Sequence, residues 1–423
     1  MRDFLPADKT RRERVLAVIR ERYRAHGFDE IETPVMEEYS RLHAGIGGDN
    51  EKLAFNILKR GLDADAVRAA AEQPSLDVAA LADLGLRYDL TVPLARFYAS
   101  HRAELPSVFR SIQIAPVWRA ERPQKGRYRQ FVQCDIDIIG DASARAEAEL
   151  IVASLDALDA LGLEGGSIRI NDRRLLDAML DVFGFAADER PGVLITIDKL
   201  DKIGPAGVAA ELRERGATGA AVDAFEQFLA GVAGGGDGPF GEDQIRASLP
   251  EGVPDEIIAH LVGLGETVAA ARGAGGEIPL VFDPFLVRGM GYYTGTIFEL
   301  AHPSVTYSLG GGGRYDGMIG RFLGQEVPAV GFSIGFERIV DLLSASVAAD
   351  AASVVLVHDR DVPVAELLAH KAAFVASGTR VRLEQRTKNL KGLLERAAND
   401  GYTAFATVSA GAAPGEVEVK PLG

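Results

Sequence analysis

Residues Pro116 to Gly140 read PVWRAERPQKGRYRQFVQCDIDIIG, the densest chemistry-bearing stretch in the chain. Between Arg119 and Arg129 stand four arginines (Arg119, Arg122, Arg127, Arg129) and Lys125, against a single acid, Glu121. Cations this close repel one another unless an anion sits among them, so the segment suits a polyphosphate or a carboxylate. Gln133, Asp135 and Asp137 follow as alternating polar groups in an otherwise apolar run, able to recognise a smaller polar group. The other reading is a solvated surface hairpin. Apolar runs on either side of a basic loop containing Gly126 predict an antiparallel strand pair.

Further polar groups recur in short patterned segments. In LRYDLTVPLARFYASHR (86–102), a strand-like start carries Asp89 and Thr91 before Pro93 opens a helix. Two apart on a strand, they share a side and can receive an ammonium group, although exposed strand pairs look the same. Arg288 precedes a Gly-Met-Gly turn followed by Tyr292, Tyr293 and Thr294. Four glycines (310–313) lead into Arg314 without the spacing of a phosphate loop or a dinucleotide fingerprint. They predict either close approach of backbone to a ligand or tight packing between strands. Glu337 and Arg338 fall where a strand running through Gly335 passes into a helix.

The elements that must position these groups follow from periodicity. Residues 9–26 are amphipathic and predict a helix, and Phe28 to Glu32 predicts a strand ended by Pro34. Residues 61–84 predict a helical excursion broken at Pro74. A helix is expected over 143–162 and a short strand over Ser167–Asn171. The layout expected is 1–185 as the first part of a main domain, 186–272 as a helical insertion containing the flexible run 233–241, and 273–345 as the second part. A linker over 344–353 precedes a βαβαβ pattern over 352–423, which predicts a small open sheet with parallel strands. Basic residues in that last domain make it a candidate RNA-binding module, although solvated helix faces read alike.

The totals narrow the class. With 423 residues the chain has room for several domains and a large core. A net charge of −15 argues against indiscriminate nucleic-acid binding and requires any such partner to meet a local basic patch. One cysteine, Cys134, excludes an intrachain disulfide framework and points to a reducing compartment, most simply the cytoplasm. The seven histidines lack metal-ligand spacing, so no metal site is expected. No apolar run is long enough for a membrane span.

Taken in order, LRYDLTVP, VWRAERPQKGRYRQFVQ, LVRGMGYYTGTIFE, GGGGRYDG and GFSIGFERI resemble the histidyl-tRNA synthetases, class II aminoacyl-tRNA synthetases, over essentially the whole chain. The second resembles class II motif 2, the last motif 3, and helix 9–26 with Pro34 motif 1. The resemblance implies an α+β catalytic domain with a six-stranded antiparallel sheet flanked by helices, a helical insertion, and a C-terminal α/β anticodon-binding-like domain. It implies a homodimer, L-histidine and ATP (with Mg2+) as substrates, and transfer of the histidyl group to the 3′ end of histidine tRNA.

Roles carry over residue by residue as implications of that resemblance. Arg119 matches the motif 2 arginine, able to bridge substrate carboxylate and α-phosphate, and Arg288 the family's second catalytic arginine. Glu121 meets the adenine amino group, Arg127 the β- and γ-phosphates, and Arg338 and Phe131 the two faces of adenine. Asp89, Thr91 and Gln133 hold the α-ammonium group, while Asp137 and Tyr293, with Arg288 and Tyr292 beside them, read the imidazole. Neutral imidazole offers one donor and one acceptor, which a carboxylate and a phenol can both satisfy. Such a site rejects isosteres by about 10⁴–10⁵-fold without editing, so the insertion is expected to be a tRNA clamp. Gln124 and Lys125 are expected at the tRNA acceptor end. The family's signature usually has an acid before the paired tyrosines, where this chain has Gly291. The competing reading is a non-catalytic paralogue such as the regulatory subunit of ATP phosphoribosyltransferase in histidine biosynthesis.

Overall fold

One long sheet carries the polar stretch that dominates the sequence. The computed structural model describes residues 2–46, 53–73, 76–122, 124, 126–232, 240–273, 278–288, 292–343 and 352–422. In chain order its strands are β1 (Asp29–Glu30), β2 (Met36–Glu38), β3 (Asn56–Leu58), β4 (Ala82–Leu86), β5 (Phe109–Trp118), β6 (Gln130–Ile139), β7 (Ser167–Asp172), β8 (Leu280–Phe282), β9 (Thr296–Ala301), β10 (Gly310–Arg314), β11 (Ala329–Gly335), β12 (Ser353–His358), β13 (Arg380–Gln385), β14 (Ala404–Val408) and β15 (Val419–Pro421). The main sheet has the order β1-β5-β6-β11-β10-β9-β7-β8. Its six central strands are antiparallel, as expected. The short β1 and β8 extend it to eight strands by pairing in parallel at the two edges.

Strand β6 shows why the sheet has two different faces. Cys134, Ile136 and Ile138 are fully buried and alternate with Gln133, Asp135 and Asp137. Because successive side chains point to opposite faces, the apolar set packs under the helix Ala144–Ala160 while the polar set faces a cavity. That helix ties to the sheet through a buried ion pair, with Arg314 donating to both Glu147 oxygens at 2.6 Å.

The chain separates into two compact units, Ala17–Leu343 and Arg2–Leu16 with Ser344–Gly423. The insertion falls within the first. Its helices Arg190–Ile197, Leu200–Glu214 and Gly219–Val232 share a core with the helix Arg173–Phe183, centred on Phe185, Leu212 and Phe225 and reaching Leu286 and Ile297. The last helix of the expected insertion, Asp255–Arg272, packs on Ala144–Ala160. Its Arg272 donates to Asp159 at 2.5 Å, and its His260 ring nitrogen lies 3.0 Å from Thr296 Oγ1. This helix therefore belongs with the sheet. The glycine-rich run 233–241 up to residue 239, and the linker 344–353 up to residue 351, lie outside the described residues.

In the C-terminal unit the strand order is β13-β12-β14-β15, with the first three parallel. Val354 and Leu356 pack with Leu367 and Phe374 on one face, and Val355 and Val357 with Leu393 and Ala397 on the other. Val419–Pro421 adds β15 antiparallel to β14.

Candidate active site

A cavity of about 860 Å³ opens on the polar face of the main sheet. It is lined by Asp89, Thr91, Arg119, Glu121, Arg127, Phe131, Gln133, Asp137, Arg288, Tyr292, Tyr293 and Arg338, which brings together every residue expected in the ATP and histidine sites. Of the hairpin's other cations, Arg122 and Arg129 are exposed and do not line the cavity, nor does Gln124. Lys125 and Gly291 lie outside the described residues.

The hairpin tip is built for tightness. Gln124 and Arg127 exchange backbone hydrogen bonds at 3.3 and 2.9 Å around Gly126, which has φ +75°. In that left-handed conformation a side chain would be strained, and an added Cβ would sit 2.8 Å from the Tyr307 ring. Arg338, from the helix Phe336–Leu342, donates to Gly126 O at 2.8 Å and to Ser308 O at 2.5 Å, which pins the tip to the sheet. Its neighbour Glu337 accepts from Val132 N at 2.8 Å.

Several guanidiniums crowd together here. Burial lowers the Arg338 pKa, and the nearby Arg119 and Arg288 lower it further. Arg119 donates to Tyr88 O at 3.2 Å, and its guanidinium lies 4.3 Å from the Tyr88 ring centroid and 5.0 Å from that of Phe131. Among the described residues it has no carboxylate partner. Arg127 lies 3.7 Å from Glu121. Guanidiniums that crowd one another in a half-buried site are arranged to receive an anion.

Arg288 is positioned from several sides. Asn171, fully buried at the end of β7, donates to Pro284 O and Leu286 O and fixes the loop that carries it. Glu299 accepts from Arg288 Nη1 at 2.5 Å and the Ser308 hydroxyl lies 2.8 Å away. Burial works against the Arg288 charge, but Glu299 and Tyr293 outweigh it and the pKa ends raised. Glu299 stands opposite Gly311 in the β9–β10 register. A Cβ at Gly311 would lie 2.7 Å from Arg288 Cζ, so the glycine strand makes room for the arginine as well as for tight strand packing.

Acidic and phenolic groups occupy the rest of the cavity. Asp137 accepts from the Tyr315 hydroxyl at 2.5 Å. Burial pushes its pKa up to about 7, with Tyr315 opposing and Asp89 adding to the rise. Burial and then Asp137 drive Asp135 well above the usual carboxylate range. The Tyr292 hydroxyl donates to that of Tyr293 at 3.2 Å, and burial raises both phenols. Gln133 Nε2 donates to Ser333 Oγ at 2.8 Å, while its Oε1 is buried without a partner.

Asp89 and Thr91 are not on a strand. β4 stops at Leu86, Thr91 begins the helix Thr91–His101, and Asp89 caps that helix by accepting from Val92 N at 3.1 Å. Pro93 fits the first turn because its missing N–H would have no intrahelical partner there. Gln113 holds the turn by donating to Leu90 O at 3.0 Å. Burial raises the Asp89 pKa, against the pull of the Val92 N–H and Arg119.

A family model described as histidyl-tRNA synthetase matches residues 75–339. A histidine–tRNA ligase of Leifsonia xyli is 61% identical over 100% of this chain and 97% of its own length. The chain belongs to the histidyl-tRNA synthetase family. A probable histidine–tRNA ligase of Tropheryma whipplei is 42% identical over 96% of this chain and 93% of its own. Among solved structures, a histidyl-tRNA synthetase from Nostoc sp. PCC 7120 superposes with TM-score 0.76 at 26% identity, covering 100% of this chain and 93% of that one. A Bacillus halodurans protein titled as an ATP phosphoribosyltransferase regulatory subunit/histidyl-tRNA synthetase shares the fold at TM-score 0.73 and 20% identity, with 97% of both chains covered. The class II synthetase fold, with its C-terminal α/β domain, is thereby established for this chain.

Within that family framework the cavity includes residues that motif reading passed over. Glu299 and Ser308 reach Arg288, Tyr88 reaches Arg119, and Tyr315 reaches Asp137. The signal for Glu299 was a lone acid in the apolar strand TIFEL, although its arginine partner was not legible there. The insertion also contributes, since Pro191, Leu194 and Ile195 of its first helix wall the cavity.

Proposed function

We propose that this cavity is where a histidine–tRNA ligase activates L-histidine with ATP and passes the histidyl group to the 3′ end of histidine tRNA. The observation that carries the reading is one continuous cavity joining crowded guanidiniums to a row of acids. Along β6, Gln133 and Asp137 are four residues apart, or about 13 Å, a span suited to an amino acid held at both ends.

In-line attack of a carboxylate oxygen on the α-phosphorus brings two anions together and expels pyrophosphate. Fixed cations lower that barrier because they need no reorganisation as charge develops. Arg119 and Arg288 supply them, and an arginine fork presents two donors in one plane. Arg127 takes the β- and γ-phosphates, Glu121 the adenine amino group, and Arg338 and Phe131 the faces of the ring. Asp89, Thr91 and the open Gln133 Oε1 receive the α-ammonium group. Asp137 and Tyr293 read the imidazole nitrogens, with Tyr292 supporting Tyr293. Magnesium would enter with the nucleotide, whose phosphate oxygens would help to ligate it.

The remaining assignments belong to the same proposal: a cytoplasmic homodimer, an insertion that clamps tRNA, Gln124 and Lys125 at the acceptor end, and a C-terminal domain that binds the anticodon. No helix among the described residues is long and apolar enough to cross a membrane. A non-catalytic regulatory paralogue would have no use for Arg119 and Arg288 converging on one cavity. The test is Arg288→Ala, which should abolish histidine-dependent ATP–pyrophosphate exchange while the far-ultraviolet spectrum stays unchanged. Normal exchange by that variant would remove Arg288 from its role.

A further inference from the structure

Asp135 lines the cavity between Gln133 and Asp137, and the reaction scheme above leaves it without a task. Its surroundings define one. Ser333 stands directly across the β6–β11 ladder from Asp135. Gln133 Nε2 donates to Ser333 Oγ at 2.8 Å and approaches both Asp135 oxygens at 3.4 Å. The other β11 residues in register with these acids are glycines, Gly331 opposite Asp137 and Gly335 opposite Gln133. Ser333 is thus the side chain through which β11 can steer Gln133.

The proton inventory fixes the direction of each bond. Only the Nε2 end of the Gln133 amide carries protons, and it is that end which donates to Ser333 Oγ and faces both Asp135 oxygens. Its Oε1 is left facing the other way, buried and without a partner. Buried amide oxygens are rarely left so.

We propose that Asp135 is a positioning residue for amino-acid recognition: directly and beside Ser333, its carboxyl oxygens orient the Gln133 amide so that Oε1 accepts from the α-ammonium group of the substrate. This rests on the cavity being the histidine site. An amide at position 135 would offer its own NH2 to Gln133, allowing the Gln133 amide to turn over and present donors to a cation.

The test is histidine-dependent ATP–pyrophosphate exchange with Asp135→Asn and Ser333→Ala. Each is expected to raise KM for histidine by roughly 10- to 100-fold, the range for a hydrogen bond to a charged group. KM for ATP should be unchanged. The double variant should be no worse than Asp135→Asn alone, because both act through one amide. Imidazole-4-propionate, which keeps the ring and the carboxylate but lacks the amine, should inhibit wild type and Asp135→Asn equally. Equal weakening of histidine and the analogue, or a histidine KM within twofold of wild type, would overturn the proposal. If Asp135→Asn does not fold, Ser333→Ala gives the same comparison. If the wild type performs no exchange, the activity reading fails separately. Calorimetric binding of histidine and the analogue to wild type and variant then decides on Asp135.

Discussion

Raising the pH from about 5 to about 8 should destabilise the ligand-free fold through Asp137. Burial lifts its carboxyl from 3.8 to about 7, even though the Tyr315 hydroxyl favours the ionised form. Between those values the folded protein holds a proton that the unfolded chain has released, so the unfolding free energy must fall as pH rises. The contribution is fully present below the unfolded value and is lost as pH passes the folded one. Its slope approaches about 1.4 kcal/mol per pH unit, and the total is at most roughly 4 kcal/mol. Asp135 shifts in the same direction, so wild type alone would overstate the effect. The assay is urea unfolding of wild type and Asp137→Asn across this range, taking the difference between the two proteins at each pH. That difference should favour wild type at low pH and decline toward pH 7 before levelling. A flat or rising difference would refute the assignment of a raised pKa to Asp137. Saturating histidine should restore more stability at pH 8 than at pH 5, because its α-ammonium group favours the ionised acids and its imidazole is neutral only at the higher pH.

Two substitutions probe the framework behind the site. Gly311→Ala places a Cβ 2.6 Å from Phe298 O and 2.7 Å from Arg288 Cζ, so it should displace the arginine and lower the exchange rate by about 10²-fold or more; wild-type rates would contradict the fit of Arg288 over the glycine strand. Glu147→Ala leaves the Arg314 guanidinium buried without its main partner and should cost about 3–5 kcal/mol in urea unfolding. A loss under 1 kcal/mol would mean that water or Asp316 compensates.

Much of the fold was legible because its elements are long and strongly periodic. The helix expected over 9–26 is observed at Pro6–Ala25, and that over 143–162 at Ala144–Ala160. Strands β5 and β6 stand out because two ten-residue runs flank a basic loop. The two-residue β1 and the three-residue β8 and β15 are too short to show a period, so the extra sheet edges were hidden. The misreading of Asp89 and Thr91 has a different cause. Tyr88, Leu90 and Val92 are all buried, and their alternation imitates a strand although it comes from a turn entering a helix. The cavity residues were found because motif spacing marks them. The residues that hold them in place, such as Asn171 and Glu299, became visible only once strand register brought distant segments together.

The central claim is that histidine and ATP meet in this cavity and that the product is passed to tRNA. Exchange of labelled pyrophosphate into ATP, followed by charging of histidine tRNA, tests it most directly. Exchange should require L-histidine, and the protein should then esterify histidine tRNA at its 3′ end. Absence of histidine-dependent exchange would contradict the account, and exchange without charging would assign the activated histidine to a different acceptor.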